Sequence, residues 1–510
     1  MSLHHARPDL ARYAREISAI ARAAGLDFFE TRFELVDFDT MQEIAAFGGF
    51  PQRYPHWRFG MEYERLRKQH VYGLGKIYEM VINNDPCYAY LVADNSTVDQ
   101  KLVMAHVYAH CDFFKHNYWF SKTNRKMMDE MANHSTRIRR HVDRLGFEKV
   151  ERFVDICYSL DNLIDPHAMF MQRTEADAAP TTMSAERQVE GKIVRLKSKP
   201  YMESWINPPE ATRLQRKNLL AQHEKKKSVL PKQPLRDVLK FLVEHAPLED
   251  WEADILSTIR EEAYYYAPQG QTKIMNEGWA TFWHSRLMTT KILADDEIIT
   301  YADHHSGTVA MSPGQMNPYK IGVELFRDIE DRWNKGRFGK DYEECRSMEE
   351  QRKWDKKLGK GMEKVFEVRR IHNDVTFIDE FLTPEFVDRF RLYHYRFDPS
   401  TRRMVVVNRD FDKIKAQLLF MLTNHGQPYL YVLDGNYANR GELYLGHKHN
   451  GVDLDIKYAS LALRNVQRIW RRPVHLQALI NDEMVLFSHD GEQSQQQKIH
   501  SDMPTPAHAL

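Results

Sequence analysis

The hydrophobic pattern of this chain changes near residue 383, and the change divides the sequence into two kinds of structure. Before this point, apolar residues recur at the three- and four-residue spacing of amphipathic helices. After it, short runs alternate between apolar and polar residues as strands do, with two helical patterns among them. The chain has 510 residues, which is more than one ordinary domain. The sequence therefore predicts an α+β protein, with a mainly helical N-terminal domain and a C-terminal α+β domain.

The pattern predicts four segments. Residues 1–170 are a helical N-terminal region, residues 171–200 a polar loop or insertion, residues 201–382 a helical region of the same domain as 1–170, and residues 383–510 the C-terminal domain. In the first segment, residues 76–82 and 87–92 predict a small β-hairpin that precedes a histidine-bearing helix. That order is found in zincin-like folds, which is an analogy only.

In the C-terminal segment, Asn450-Gly451 and Asn481-Asp482 predict hairpin turns, and residues 452–456 predict a strand.

Charge and cysteine content narrow the class of protein. Lys plus Arg and Asp plus Glu both total 72, so no net charge favours nucleic acid or an anionic membrane surface. No stretch reaches the roughly 18 apolar residues of a membrane span, and the first residues lack the apolar run of a secretory signal. The four cysteines are widely separated and form no CxxC pair, which argues against a disulfide framework. We expect a cytoplasmic protein.

The sequence His106-Val-Tyr-Ala-His110 carries the most chemical information. Histidines four residues apart lie one above the other on a helix, where both imidazoles can bind one zinc ion. Alone, such a pair is more often two hydrogen-bonded core histidines. Glu277, in Asn276-Glu277-Gly278-Trp-Ala, can supply a third ligand from a second helix. This stretch resembles the Asn-Glu-Gly-Phe-Ala of one group of zinc aminopeptidases, although Glu277 follows His110 at a much longer spacing than in that group.

The general base of such a site is not evident. Val107 stands where the zinc-peptidase motif His-Glu-x-x-His carries its catalytic glutamate. Glu261 and Glu262 are the nearest candidates for the general base upstream of Glu277. The alternative is that they have no catalytic role and form an ion pair with Arg260 or Lys273. His284, two helical turns after Glu277, is a candidate fourth ligand, proton shuttle or partner of a ligand, or else a histidine near the helix surface.

Four long segments of the chain resemble the SpoVR family, named for stage V sporulation protein R, in the same order. They are residues 54–64, 106–117, 273–284 and 317–330. The resemblance extends over nearly the full length. It implies a role in spore cortex formation or in a bacterial stress response, and partners such as a PrkA-type serine kinase and a von Willebrand-factor-like protein.

Two functions remain open at this stage. The first is a zinc-dependent hydrolase or amidase-like enzyme, acting on peptides or cell-wall precursors, with His106, His110 and Glu277 as ligands. The second is a non-enzymatic regulatory or scaffold protein that acts with the kinase system. Motifs for phosphate binding, dinucleotide binding, serine hydrolysis and protein kinases are absent from the sequence, which excludes those common classes.

Overall fold

A computed structural model of the chain describes residues 7–71, 79–171 and 230–499, together with a few positions between 207 and 217. Contacts between residues divide the chain into two units. The first unit is Met1–Glu151 with Tyr264–Gly426, and the second is Arg152–Ala263 with Gln427–Leu510. The predicted loop at 171–200 falls almost wholly outside the described residues, as do residues 76–78 of the predicted hairpin.

Helices make up most of the described structure, as the sequence predicts. In chain order they are α1 (Pro8–Ala23), α2 (Phe38–Ala46), α3 (Trp57–Val71), α4 (Thr97–His116), α5 (Met127–Leu145), α6 (Phe147–Tyr158), α7 (Val238–His245), α8 (Asp250–Gln271), α9 (Lys273–Leu287), α10 (Ile298–Thr308), α11 (Pro318–Lys335), α12 (Lys340–Glu343), α13 (Met348–Lys353), α14 (Gly361–Ile371), α15 (Asp374–Phe381), α16 (Pro384–Phe390), α17 (Phe411–Leu422) and α18 (Ile456–Trp470). Short 3-10 or π turns occupy Tyr118–Phe120, Met288–Ile292, Asp295–Glu297 and Thr423–Gly426.

The strands form three small sheets. They are β1 (Thr31–Val36), β2 (Glu79–Ile82), β3 (Cys87–Val92), β4 (His394–Asp398), β5 (Arg403–Asn408), β6 (Tyr429–Tyr437), β7 (Glu442–Lys448), β8 (Val474–Ile480), β9 (Glu483–His489) and β10 (Ser494–Lys498). The mixed α+β class predicted from the sequence is therefore confirmed.

The first unit is built around helix α4. The predicted hairpin is present as β2 and β3, which pair antiparallel, and β1 joins β3 in parallel to complete a three-stranded sheet. Helix α4 is buried on nearly every face, because α1, α9 and the sheet all contact it. A helix of this kind needs apolar residues around its whole circumference, and α4 has them.

The β4–β5 hairpin and helix α17 belong to the first unit, although they follow the predicted boundary at residue 383. The reason lies in the packing of α17. Ile414 is buried in the same core as α9 and α11, and Leu418 and Leu419 pack against that core. Their apolar spacing marks a helix but does not say which core it joins.

The second unit contains a five-stranded sheet in the order β10-β9-β8-β7-β6. Strands β8 and β9 form a hairpin at Asn481 and Asp482, both with positive φ (49° and 61°), as the predicted Asn-Asp turn requires. The prediction at residues 450–456 is wrong. The side chain of Asp455 accepts hydrogen bonds from backbone N–H groups at the start of α18, so a helix begins there, and β7 pairs with β8 in parallel across it.

All four cysteines carry free thiols. Within the described parts of the chain, no helix is both long and apolar enough to cross a membrane.

Candidate metal centre

Helices α4 and α9 bring His106, His110 and Glu277 together. Helix α4 begins at Ser96, whose hydroxyl accepts a hydrogen bond from the backbone N–H of Asp99. The start of α9 is held by Asp374, whose carboxylate accepts from the N–H groups of Ile274 (2.8 Å) and Met275 (2.9 Å). Asp374 therefore caps the first turn of α9, the turn that precedes Glu277.

The three predicted ligands lie close enough to share one ion. Glu277 Oε2 is 3.6 Å from His106 Nε2 and 3.5 Å from His110 Nε2. Tetrahedral zinc with bonds of 2.0–2.2 Å separates its ligand atoms by about 3.3–3.6 Å. Both measured distances fall in that interval, and both exceed the usual length of an N–H···O hydrogen bond, about 2.7–3.2 Å. The donor atoms of all three residues lie within 4.8 Å of one another.

The three predicted ligand residues are buried. His106 and His110 are each 3 % exposed and Glu277 is 6 % exposed. Among the described residues, no hydrogen-bond donor reaches Glu277 Oε2, whereas Oε1 accepts from Lys273 Nζ at 2.5 Å. A buried carboxylate oxygen of this kind is unfavourable unless a cation or a donor compensates it. The residues present therefore fit a divalent cation bound through Oε2.

The surroundings of Glu277 favour its ionised form. Burial alone raises the pKa of Glu277, but the contacts with His106 and His110 and the charge of Lys273 outweigh it and hold the pKa well below its usual range. Metal binding needs the deprotonated carboxylate, so no proton has to leave Glu277 first.

Each of the two predicted histidine ligands has a hydrogen-bond partner at its Nδ1 atom. His110 Nδ1 lies 2.9 Å from the amide oxygen of Asn276, which can only accept, so Nδ1 carries the proton and Nε2 keeps its lone pair. His106 Nδ1 lies 2.7 Å from His284 Nδ1, and His284 Nε2 lies 3.2 Å from His305 Nδ1. Both ring nitrogens of His284 thus face other histidines.

A third helix, α11, passes very close to α9. A Cβ atom on Gly278 would lie 2.5 Å from the Cα and carbonyl carbon of Gly322, and a Cβ on Gly322 would lie 2.2 Å from the carbonyl oxygen of Ile274. The glycine of the Asn-Glu-Gly sequence is needed for this contact. The close approach lets the Tyr319 ring of α11 stack on the His106 imidazole, with 6.3 Å between ring centroids.

A buried ion pair connects the helices on another side. Asp112 Oδ2 accepts from Trp279 Nε1 and Arg369 Nη1, both at 3.0 Å, and so joins α4 to α9 and α14. Asp112 is fully buried, and burial raises its pKa to about 6 despite the neighbouring guanidinium. Three residues that contact the predicted ligands or their helix, namely Asn276, Tyr319 and Asp374, were given no role from the sequence, because none is itself a ligand in a recognised pattern.

The two predicted general bases lie on α8, in the part of it assigned to the second unit. Glu261 is exposed and Glu262 is buried. Arg260, one alternative ion-pair partner, bonds to Asp237, with its Nε atom 3.1 Å from a carboxylate oxygen. The other alternative partner, Lys273, bonds to Glu277. A catalytic role for Glu261 or Glu262 stays a prediction.

Comparison with known families agrees with the resemblance found in residues 54–64, 106–117, 273–284 and 317–330. Residues 4–427 match the family described as "SpoVR like protein", and residues 428–481 match "SpoVR-like C-terminal domain". This chain belongs to the SpoVR family. The two family matches meet between residues 427 and 428, one residue from the division between the two units after Gly426.

One relative is the Escherichia coli (strain K12) protein named "Uncharacterized protein YcgB". It is 31 % identical over 408 residues, which cover 75 % of this SpoVR family member and 73 % of the relative. No solved structure matches.

Proposed function

We propose that this SpoVR family protein is a metal-dependent hydrolase or amidase-like enzyme, with zinc held by His106, His110 and Glu277. The carrying observation is the pair of nitrogen–oxygen distances, 3.5 and 3.6 Å, which equal the edges of a tetrahedral zinc site. Two neutral imidazoles and one carboxylate from two helices form the ligand set of many catalytic zinc sites, which keep a fourth position open.

The surrounding residues would orient the ligands. Asn276 fixes the His110 ring with Nε2 toward Glu277. His284 Nδ1 can accept a hydrogen bond from His106 Nδ1–H, and His284 Nε2–H can donate one to His305 Nδ1. In this arrangement His106 Nε2 carries no proton. Because both nitrogens of His284 are engaged in this way, we assign it to positioning of His106 rather than to a fourth ligand. Lys273 holds Glu277 Oε1 and leaves Oε2 for the metal.

Bound zinc would act as a Lewis acid that polarises the carbonyl of the bond to be cleaved. The chain must supply the base. Val107 is completely buried and has no proton to exchange, so the position that carries the base in His-Glu-x-x-His peptidases belongs here to the core. We propose Glu262 or Glu261 for this role, and peptides or cell-wall precursors as substrates in sporulation or the stress response.

Metal content of the purified protein tests the proposal. We expect about one zinc per chain by elemental mass spectrometry, and a loss of at least tenfold in His106→Ala, His110→Ala and Glu277→Ala. His116→Ala is a matched control, because His116 lies on the same helix but bonds to Asp27. Equal metal in the wild type, the ligand variants and the control would refute the site. Glu262→Gln and Glu261→Gln should keep the metal, and one of them should lose hydrolysis.

The second candidate is a regulatory or scaffold protein that acts with a PrkA-type serine kinase and a von Willebrand-factor-like protein. The observation in its favour is the buried valine at position 107, together with a histidine network whose members bond to one another. Affinity purification from cells distinguishes the two. Recovery of the kinase with wild type and His110→Ala alike, without metal in either, would favour the scaffold.

A further inference from the structure

The first unit contains a half-open cavity of about 920 Å³. None of the residues that line it is a proposed metal ligand. Its walls are the loop 311–316, the segment 390–395, strand β5 and helix α17. The loop that forms one wall is held in shape by Asn317, whose side-chain amide donates to the carbonyl oxygens of Thr308 (2.9 Å) and Ala310 (2.8 Å). The volume is within the range of small-molecule sites, about 300–1,000 Å³.

The lining combines polar and apolar side chains and is rich in methionine. Met311, Met316, Met404 and Met421 all face the cavity, together with aromatic and branched side chains of the other walls. Met404 is 40 % exposed and Met421 is 49 % exposed, although such side chains gain free energy from burial. Flexible thioether side chains adapt to ligands of variable shape. An exposed apolar patch of this kind is typical of a binding surface.

The charged residues that line the cavity are all positively charged. Its lining contains no aspartate and no glutamate, but it includes Arg391 and Arg409. Arg409 lies over the ring of Tyr393, 5.2 Å from the centroid, and within the described residues neither arginine has a carboxylate partner. By contrast, the adjacent Arg389 forms an ion pair with Asp328 at 3.7 Å. Two arginines beside a methionine-rich wall are complementary to a molecule that has one anionic group and an apolar chain.

We propose that this cavity binds a small amphiphile with an apolar chain and an anionic head, of the class of medium- and long-chain carboxylates. The chain would lie along the methionines, and the carboxylate would bond to Arg391 and Arg409. This site is independent of the proposed metal centre, and neither requires the other.

Calorimetric titration of the full chain with decanoate, below its critical micelle concentration, tests the proposal. We expect saturable binding at one site, and weaker binding by about tenfold or more in Arg391→Gln and in Arg409→Gln, because each loses a charge-assisted hydrogen bond. Met421→Glu should abolish binding, since it places a negative charge in the cavity. Arg396→Gln is the matched control, because Arg396 lies on β4, between Arg391 and Arg409 in the chain, but outside the lining.

Circular dichroism and the melting temperature of each variant confirm that it is folded. Decan-1-ol, which has the chain without the charge, should bind at least tenfold more weakly than decanoate. The proposal is overturned if decanoate gives no saturable heat, if decan-1-ol binds as tightly, or if the two arginine variants and Met421→Glu bind like Arg396→Gln.

Discussion

The substitution Gly278→Ala should damage the candidate site without touching a ligand. The new Cβ would lie 2.5 Å from backbone atoms of Gly322, whereas ordinary contacts begin at 3.4 Å, so α9 and α11 must separate by about 0.9 Å. Backbone atoms cannot rotate away as a side chain can. Overpacking of this kind costs about 1–3 kcal/mol, and the higher helix propensity of alanine recovers about 1 kcal/mol. We expect a net loss of up to about 2 kcal/mol.

The effect on metal binding should be larger than the effect on stability. Glu277 precedes Gly278 on the same helix, and coordination distances tolerate only about 0.2 Å of error. A shift of several tenths of an ångström should therefore lower zinc affinity at least tenfold. Urea unfolding measures the first effect, and competition with a chromogenic chelator measures the second.

Gly60→Ala is the matched control. Gly60 lies inside α3, and nothing lies within 4 Å of a Cβ placed there. The control should gain about 0.5–1 kcal/mol with zinc affinity unchanged. If Gly278→Ala is stabilised as much as Gly60→Ala and binds zinc normally, the close approach of α9 and α11 does not position Glu277, and the reasoning fails.

Three further outcomes test other contacts. Asn276→Ala should weaken zinc binding about 10- to 100-fold in chelator competition, because the His110 ring loses its acceptor. Burial raises the pKa of Asp374 to about 7 from 3.8, so the folded state holds a proton that the unfolded state releases. Stability should fall as the pH rises from about 4 to 7, and Asp374→Asn should flatten this dependence of the urea midpoint. Arg369→Ala should cost about 3–5 kcal/mol in urea unfolding, because Asp112 is left buried without its cation, whereas the exposed Arg370→Ala should cost under about 0.5 kcal/mol.

The sequence contains enough to predict the helices that carry the proposed ligands. Spacing of four residues places His106 and His110 on one face, and the Asn-Glu-Gly stretch identifies the second helix. The partners of the ligands could not be predicted in the same way. Asn276 is adjacent to Glu277, but His305 and Asp374 reach the site from other helices, and only the tertiary packing brings them there.

The fold shows the same limit. Strand β10 consists of Ser494, three glutamines and Lys498, all exposed, so it has no apolar alternation and owes its conformation to pairing with β9. Residues 452–456 alternate like a strand, yet the Asp455 cap starts a helix there. Backbone pairing and capping decided these elements, and neither can be detected from hydrophobic periodicity.

The position of α4 in the chain has a consequence for biosynthesis. His110 and Asn276 are 166 residues apart, and Asp112 and Arg369 are 257 apart. At a translation rate of about 5–20 residues per second, α4 would leave the ribosome roughly 10–30 s before α9 is made. During that interval α4, which is buried on nearly every face of the folded protein, lacks its contact with α9, and among the described elements mainly α1 and the small sheet are there to cover it. The nascent chain should therefore need a chaperone at this stage, and truncation before α14 should give insoluble protein rather than a smaller folded domain.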